Sequence, residues 1–326
     1  MMIVQDLVGV ILAGGKGTRM QPFSTKYPKP ILPILNRPLM VHQIEQMVNV
    51  GINKIYIVIG HLGFEIAKTL GDGEKFGVEL NYVDQSETLG IAHALGKLEP
   101  YIKSPFMLFL GDIYFSTNNL IEMVELFYKS NLNSVLAVKE DENEEAIKRN
   151  FAVILNEEST YVRRVIEKPR YVSNTIKGCG LYLFDLNIFD AIRRTPRTAM
   201  RDEYEITEAI QILIDHECKV GISDVILEDL NLTYPVDLWR CNLKQLRNLG
   251  IDKLISKSSI VDSNSKIINS VIGENVTVKN SVTIKDSIVF DNTIIDNDLF
   301  RAIKTPSIQV DIPTSLKELN INSNEV

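Results

Sequence analysis

Two features of the sequence predict an α/β protein with a doubly wound, mixed but mostly parallel sheet and a short C-terminal left-handed β-helix. The first half alternates short, unbroken apolar runs with segments of helical period, the pattern of strands joined by helical crossovers. From Ser258 onward, apolar residues instead recur at six-residue intervals with polar residues and glycine between them, which marks a parallel β-helix. The expected division is a sheet domain over residues 1–250, a β-helix over 251–297 and a polar tail over 298–326.

The first strand is Leu7 to Leu12, a run of Leu, Val and Ile suited to a strand covered on both faces. It empties into a glycine-rich loop in which Gly14, Gly15 and Gly17 permit positive φ and let backbone N–H groups approach an anion. Pro22, Pro28, Pro30 and Pro33 forbid a helix directly afterwards, so the chain is expected to run extended. A helix follows over Pro38–Val50, with proline at its start and Gly51 closing it. Then come strand Lys54–Gly60, helix Phe64–Leu70, strand Val78–Val83, a helix from Gly90 to Lys97, and strand Pro105–Leu110 ending in Gly111-Asp112. Leu120–Tyr128 reads as a helix and Ser134–Val138 as a strand. In doubly wound sheets ligands bind off the carboxyl ends of strands, where both the glycine loop and Asp112 fall.

The middle of the chain offers strands at Phe151–Leu155, Val162–Glu167 and Gly178–Phe184, and helices at Ile206–Asp215 and Val236–Asn248. Beyond Ser258, Ile260, Ile272, Val278, Ile284 and Phe290 lie on one six-residue stride, broken at Lys266. Val276, Val282, Ile288 and Ile294 lie on a second. At about 18 residues per coil, some two coils fit. That is too few to stand alone, so they are expected to dock on the first domain or on a neighbouring subunit, giving a homo-oligomer.

The 326 residues allow about two domains, and 45% hydrophobic with 24% charged residues is ordinary for a globular protein. A net charge of −7 without a basic cluster argues against nucleic acid as a main partner. No apolar run reaches the roughly 18 residues of a membrane span, and Met1–Asp6 lacks the basic start of a signal peptide, so a cytoplasmic protein is expected. Cys179, Cys218 and Cys241 are odd in number and widely spaced, which reads as buried thiols. No two histidines sit at ligand spacing.

The loop is neither of two familiar phosphate cradles. A Walker loop needs Ser or Thr after Gly-Lys, whereas Lys16 precedes Gly17. A dinucleotide fingerprint needs a third glycine at the helix start, where Arg19 and Met20 stand. The run Leu12–Arg19 (LAGGKGTR), followed by Pro28-Lys29-Pro30, resembles instead the signature of the sugar-1-phosphate nucleotidylyltransferases. The resemblance covers about residues 8–250 and is closest to the members acting on glucose 1-phosphate with dTTP or UTP. It implies a Rossmann-like nucleotidyltransferase domain. It also implies an enzyme in which a sugar 1-phosphate attacks the α-phosphorus of a nucleoside triphosphate and releases pyrophosphate, with Mg²⁺ as cofactor.

Two anions must meet in that reaction, so the site needs cations. The resemblance assigns Arg19 and Lys29 to the reacting phosphates, with Pro28 and Pro30 fixing the backbone around the lysine. It places Leu12, Ala13, Gly14, Gly15, Gly17 and Thr18 on the nucleotide. Gln85 and Gly90 resemble the base-reading turn, since an amide offers both a donor and an acceptor to uracil or thymine. Ile91 departs from the usual Thr or Leu there. Glu167-Lys168-Pro169 matches the sugar-phosphate motif, Lys168 for the phosphate and Glu167 for hydroxyls, joined by Gly111 and by Ala152, where relatives often carry glycine. Asp112, in Leu-Gly-Asp, matches the family's metal aspartate. Aligning on Pro235 puts Asn231 at the second metal position, as in relatives that make uridine diphosphate N-acetylglucosamine, with Asp229 and Asp237 as nearby alternatives. N-acetylglucosamine 1-phosphate or mannose 1-phosphate, and a non-catalytic sugar-nucleotide sensor, stay open beside the main reading.

Overall fold

A computed structural model describes residues 7–158, 160–199, 201–279 and 281–313. The expectations for Met1–Asp6 and for residues 314–326 of the tail lie outside the described residues. The chain divides into two compact units. One comprises residues up to Lys16 together with Val41–Asp229; the other comprises Gly17–Met40 together with residues from Leu230 onward. The sequence grouped 17–40 and 230–250 with the sheet domain instead.

The first unit is built on nine strands: β1 Val8–Ala13, β2 Lys54–Ile59, β3 Glu79–Asp84, β4 Phe106–Leu110, β5 Ser134–Glu140, β6 Phe151–Leu155, β7 Val162–Glu167, β8 Ile176–Phe184 and β9 Val220–Ser223. Their order is β7-β6-β8-β4-β1-β2-β3, with β5 along β8 and β9 along β5. β4, β1, β2 and β3 are mutually parallel, in register Gly9↔Ile55 and Val8↔Phe106. β8 enters antiparallel to β4, β5 and β6, and β6 pairs antiparallel with β7. The sheet is therefore parallel-rich in one half only. The short connection from Leu155 to Val162 can close a hairpin but cannot make a crossover.

Helices α1 Leu39–Asn49, α2 Gly63–Leu70, α3 Ile91–Gly96, α4 Leu120–Lys129, α5 Glu144–Arg149, α6 Asn187–Arg194 and α7 Ile206–Asp215 surround these strands in sequence, and α8 Pro235–Asn248 follows. Val10, Val58, Phe106, Leu108, Tyr182 and Phe184 share one core with apolar residues of α3, α6 and α7. Gly9 faces the opposite side, where an added Cβ would lie 2.7 Å from Met47 Sδ of α1, so helices cover both faces. Among the described residues no helix is long and apolar enough to cross a membrane.

In the second unit, the proline-rich stretch forms no α-helix, as expected, but it is not simply extended. It makes three single 3₁₀ turns at Thr18–Met20, Phe23–Thr25 and Lys29–Ile31. Long-range contacts tie it to the C-terminal residues. Buried Asn242 of α8 accepts from Leu35 N–H (2.8 Å) and donates to Pro33 O (2.9 Å), and Phe23 stacks on Phe290 at 5.9 Å.

The C-terminal strands stack in three ladders, parallel except where Gln309–Asp311 turns back on Ala302–Lys304. Partners in the first coils are 17 residues apart, as in Lys253↔Ser270, Ile260↔Thr277 and Lys266↔Thr283, rather than about 18, and in the last coil 15 apart, as in Ile284↔Leu299. The inward residues Val261, Ile267, Ile272, Val278, Ile284, Val289 and Ile295 advance by steps of six, five and six. The shortened step explains why a strict six-residue stride fails in places: Ile260 is 71% exposed and Ile294 57%. Asn269 and Asp286, and likewise Asn275 and Asn292, hold φ of 43° to 56° at matching corners, a conformation that Asn and Asp tolerate best. Strands Leu299–Phe300 and Ala302–Lys304 continue the ladders past Asn297.

Candidate active site

The first unit gathers Gly14, Gly15, Gln85 and Asp112 around the ends of β1, β2 and β4. Gly14 owes its identity to close approach, since a Cβ there would sit 2.5 Å from the amide oxygen of Gln85. Gly15 would meet nothing within 4 Å, and neither glycine has positive φ; only Gly17 of the three does, at 61°. Gln85 is 6% exposed, with its N–H donating to Ile59 O at 2.7 Å where β2 ends. Gln85 follows β3, whose neighbour β2 lies beside β1, and this brings it next to the loop.

Gly90 is the turn where conformation is decisive. Its φ of 108° and ψ of 169° lie in a region open essentially to glycine alone. A Cβ would come within 2.5 Å of Tyr204 O. Tyr204 clamps this turn by donating to Leu89 O (2.7 Å) and accepting from Ala92 N–H (3.0 Å).

Leu12 O accepts from Gly111 N–H at 2.9 Å, which joins the loop's first residue to the residue before Asp112. Asp112 is half-buried. Gln43 of α1, 1% exposed, donates through one amide nitrogen to both Leu110 O and Ile113 O at 2.8 Å and so brackets Asp112. Sequence reasoning missed Gln43. Its only signal is an amide within an otherwise apolar helical stripe.

Glu167 ends β7 and Lys168 follows with φ 40°, its ammonium 3.9 Å from the Glu167 carboxylate. Arg201 donates to Glu167 (3.2 Å) and to buried Glu205 (3.2 Å), and Thr207 donates to the other Glu167 oxygen (3.2 Å). Burial and the neighbouring Glu205 raise the Glu167 carboxyl above its ordinary range, against the pull of Lys168 and Arg201. Arg201 and Thr207 were not read from the sequence, since they lie more than thirty residues from the motif. Ala152 is 1% exposed and central in β6, paired with Ile166 on one side and Lys177 on the other.

The second unit carries the remaining residues. Thr18 and Arg19 are exposed on the first 3₁₀ turn, and the Arg19 guanidinium lies 5.8 Å from the Tyr234 ring centre. Lys29 is half-buried between buried Pro28 and Pro30, and its stem passes 3.3 Å from where a Gly17 Cβ would be. Asn231 is half-buried at the end of strand Ile226–Asn231. Both alternatives to it are already engaged. Asp237 accepts from Thr233 N–H (3.0 Å) and Tyr234 N–H (2.7 Å) as the capping carboxylate of α8. Asp229 pairs with buried Lys177 at 2.9 Å.

Among the described residues no group of three or more His, Cys, Asp or Glu side chains could hold a metal. A Mg²⁺ ion needs no such group, since it takes one or two protein oxygens and completes its shell with phosphate and water. Cys179 and Cys241 are buried, and burial together with Asp229 pushes the Cys179 thiol well up; Cys218 is only half-buried.

Residues 8–224 match the family model described as nucleotidyl transferase. The chain is 31% identical over 268 residues to a low-salt glycan biosynthesis nucleotidyltransferase of Haloferax volcanii, covering 80% of this chain and 73% of that protein. It is 33% identical over 228 residues to a UTP–glucose-1-phosphate uridylyltransferase of the same organism, covering 70% and 92%. A crystal structure from Bacillus anthracis, assigned as a glucose-1-phosphate thymidylyltransferase and solved with sucrose, aligns with a TM-score of 0.65 at 26% identity, over 72% of this chain and 94% of that one. The chain belongs to the nucleotidyl transferase family.

Proposed function

We propose that the chain transfers a nucleoside monophosphate from dTTP or UTP to glucose 1-phosphate, forming a nucleoside diphosphate sugar and pyrophosphate. The observation that supports this reading is the Gln85 amide seated against Gly14 of the loop, since an amide offers a donor and an acceptor that would match a pyrimidine edge. A phosphate oxygen of the sugar attacks the α-phosphorus, and the bond from that phosphorus to the bridging oxygen breaks as pyrophosphate leaves. The nucleophile is already ionised, so no general base is required, and rate comes from positioning and charge stabilisation.

Arg19 and Lys29 cancel charge on the triphosphate, and the loop from Leu12 to Thr18 cradles it. Lys168 holds the sugar's phosphate and Glu167 accepts from its hydroxyls; Arg201 orients Glu167. Asp112 and Asn231 are the residues that would hold Mg²⁺, which would supply further charge neutralisation. The amide of Asn231 contributes an oxygen without charge. The three stacked ladders are read as a short left-handed β-helix, supported by their parallel pairing and 17-residue coil.

The test is a panel of dTTP, UTP, ATP and GTP against glucose 1-phosphate, N-acetylglucosamine 1-phosphate and mannose 1-phosphate with Mg²⁺, following pyrophosphate. Turnover greatest for glucose 1-phosphate with a pyrimidine triphosphate is expected. Pyrophosphate from no pair would sink the enzyme reading, and preference for another sugar would replace the substrate.

A further inference from the structure

Lys139 on β5 and Lys177 on β8 stand directly opposite each other in the sheet register. Like charges so placed destabilise a pair of strands unless each finds compensation elsewhere. Both find it on the same element. The Lys177 ammonium, on a side chain 5% exposed, lies 2.9 Å from Asp229 and 3.5 Å from Asp141. Lys139 donates to Leu227 O at 2.7 Å. The Asp229 side chain is itself only 4% exposed, so neither member of this pair is a solvated surface charge. Leu227 and Asp229 belong to strand Ile226–Asn231, which pairs with strand Ile113–Thr117 directly after Asp112. Asp229 and Asn231 are two positions apart, and alternation along a strand sends their side chains to the same side.

We propose that Lys139 and Lys177 act as a two-lysine clamp, positioning residues that fix strand Ile226–Asn231 and thereby aim Asn231 as a metal ligand. The clamp rests on the assignment of Asn231 in the proposed function. Neither lysine touches substrate. A buried ion pair is an inefficient way to gain stability alone, since well-packed apolar residues of similar volume do as well. Its directional use is to hold one strand at one depth.

The experiment measures Mn²⁺ binding by electron paramagnetic resonance at fixed α,β-methylene-UTP, beside thermal unfolding and steady-state turnover. Lys177→Met with Asp229→Leu replaces the pair by apolar groups and should unfold near the wild-type temperature, yet weaken Mn²⁺ about 100-fold. Lys139→Met leaves Asp229 and Lys177 in place and should weaken Mn²⁺ about 10-fold, with kcat recovering at saturating Mg²⁺. The second variant also separates the clamp from direct ligation by Asp229, which would leave Lys139→Met unaffected. If the double variant does not fold, Lys139→Met decides alone. Mn²⁺ affinity within about twofold of wild type in Lys139→Met, in protein that still releases pyrophosphate, overturns the clamp and leaves the functional reading standing. Wild-type protein that binds no Mn²⁺–nucleotide and releases no pyrophosphate overturns both.

Discussion

Replacing Gly90 by alanine should damage the turn that Tyr204 clamps, the turn proposed to read the base, in a calculable way. The backbone there, at φ 108° and ψ 169°, costs a residue with a Cβ about 1–3 kcal/mol. The new Cβ would lie 2.5 Å from Tyr204 O, 2.7 Å from its N and 2.9 Å from its C, all backbone atoms that cannot rotate away. Reaching an ordinary 3.4 Å contact requires a separation of about 0.9 Å. That would stretch the 2.7 Å Tyr204–Leu89 bond to about 3.6 Å, beyond hydrogen-bonding range. Losing it and the Ala92–Tyr204 bond costs roughly 1 kcal/mol each. The total is about 3–5 kcal/mol, readable as a lowered urea midpoint at unchanged slope. Nucleotide KM should rise in the folded fraction, because the turn follows Gln85 closely in the chain. A loss below about 0.5 kcal/mol with an unchanged KM would refute the clamped geometry.

Three further outcomes follow from the same contacts. Gly14→Ala meets only the flexible end of Gln85, so stability should hold within about 1 kcal/mol while KM for the triphosphate rises about 10-fold; an unchanged KM would detach Gln85 from the nucleotide. Asp237→Ala should lose about 1 kcal/mol of stability through the α8 cap and keep its Mg²⁺ requirement; a raised requirement would make Asp237 the ligand in place of Asn231. Burial, with Lys97 beside it, lowers the His93 pKa from 6.5, so the unfolded chain binds the proton more readily. This residue's contribution is therefore lost as pH falls through 6.5, and His93→Phe should flatten that part of the Tm–pH profile; parallel profiles would contradict the lowered His93 pKa.

What the sequence reveals about this molecule is mostly local. The run of Val, Ile and Leu before Gly14 declares a buried strand and a loop, because both depend on neighbours in the chain. Asp112 is placed at a strand end by the same local reading, whereas Gln85 enters only through the resemblance. Gln43, Arg201 and Thr207 are not readable, since each acts on a group far away in sequence and leaves no periodic trace. Residues 17–40 fall in with the C-terminal strands for the same reason, through Asn242 and Phe290. The ladders are legible as a repeat, but a corner that drops one residue per coil turns a six-residue stride into steps of six, five and six. Assigning the second metal position illustrates the limit most directly. Alignment on Pro235 favours Asn231 over its neighbours Asp229 and Asp237, but the Lys177 pair and the α8 cap that engage those two aspartates leave no trace in the sequence.

The loop from Leu12 to Thr18 is proposed to hold a triphosphate that is cut at its α-phosphorus. The direct measurement is one turnover with α-³²P- or γ-³²P-labelled UTP, glucose 1-phosphate and Mg²⁺, comparing wild type with Asp112→Ala. Label is expected in the nucleoside diphosphate sugar from the α position only, with all γ label in pyrophosphate and neither product with Asp112→Ala. Label from the γ position in a sugar product, or full activity without Asp112, would contradict that proposal.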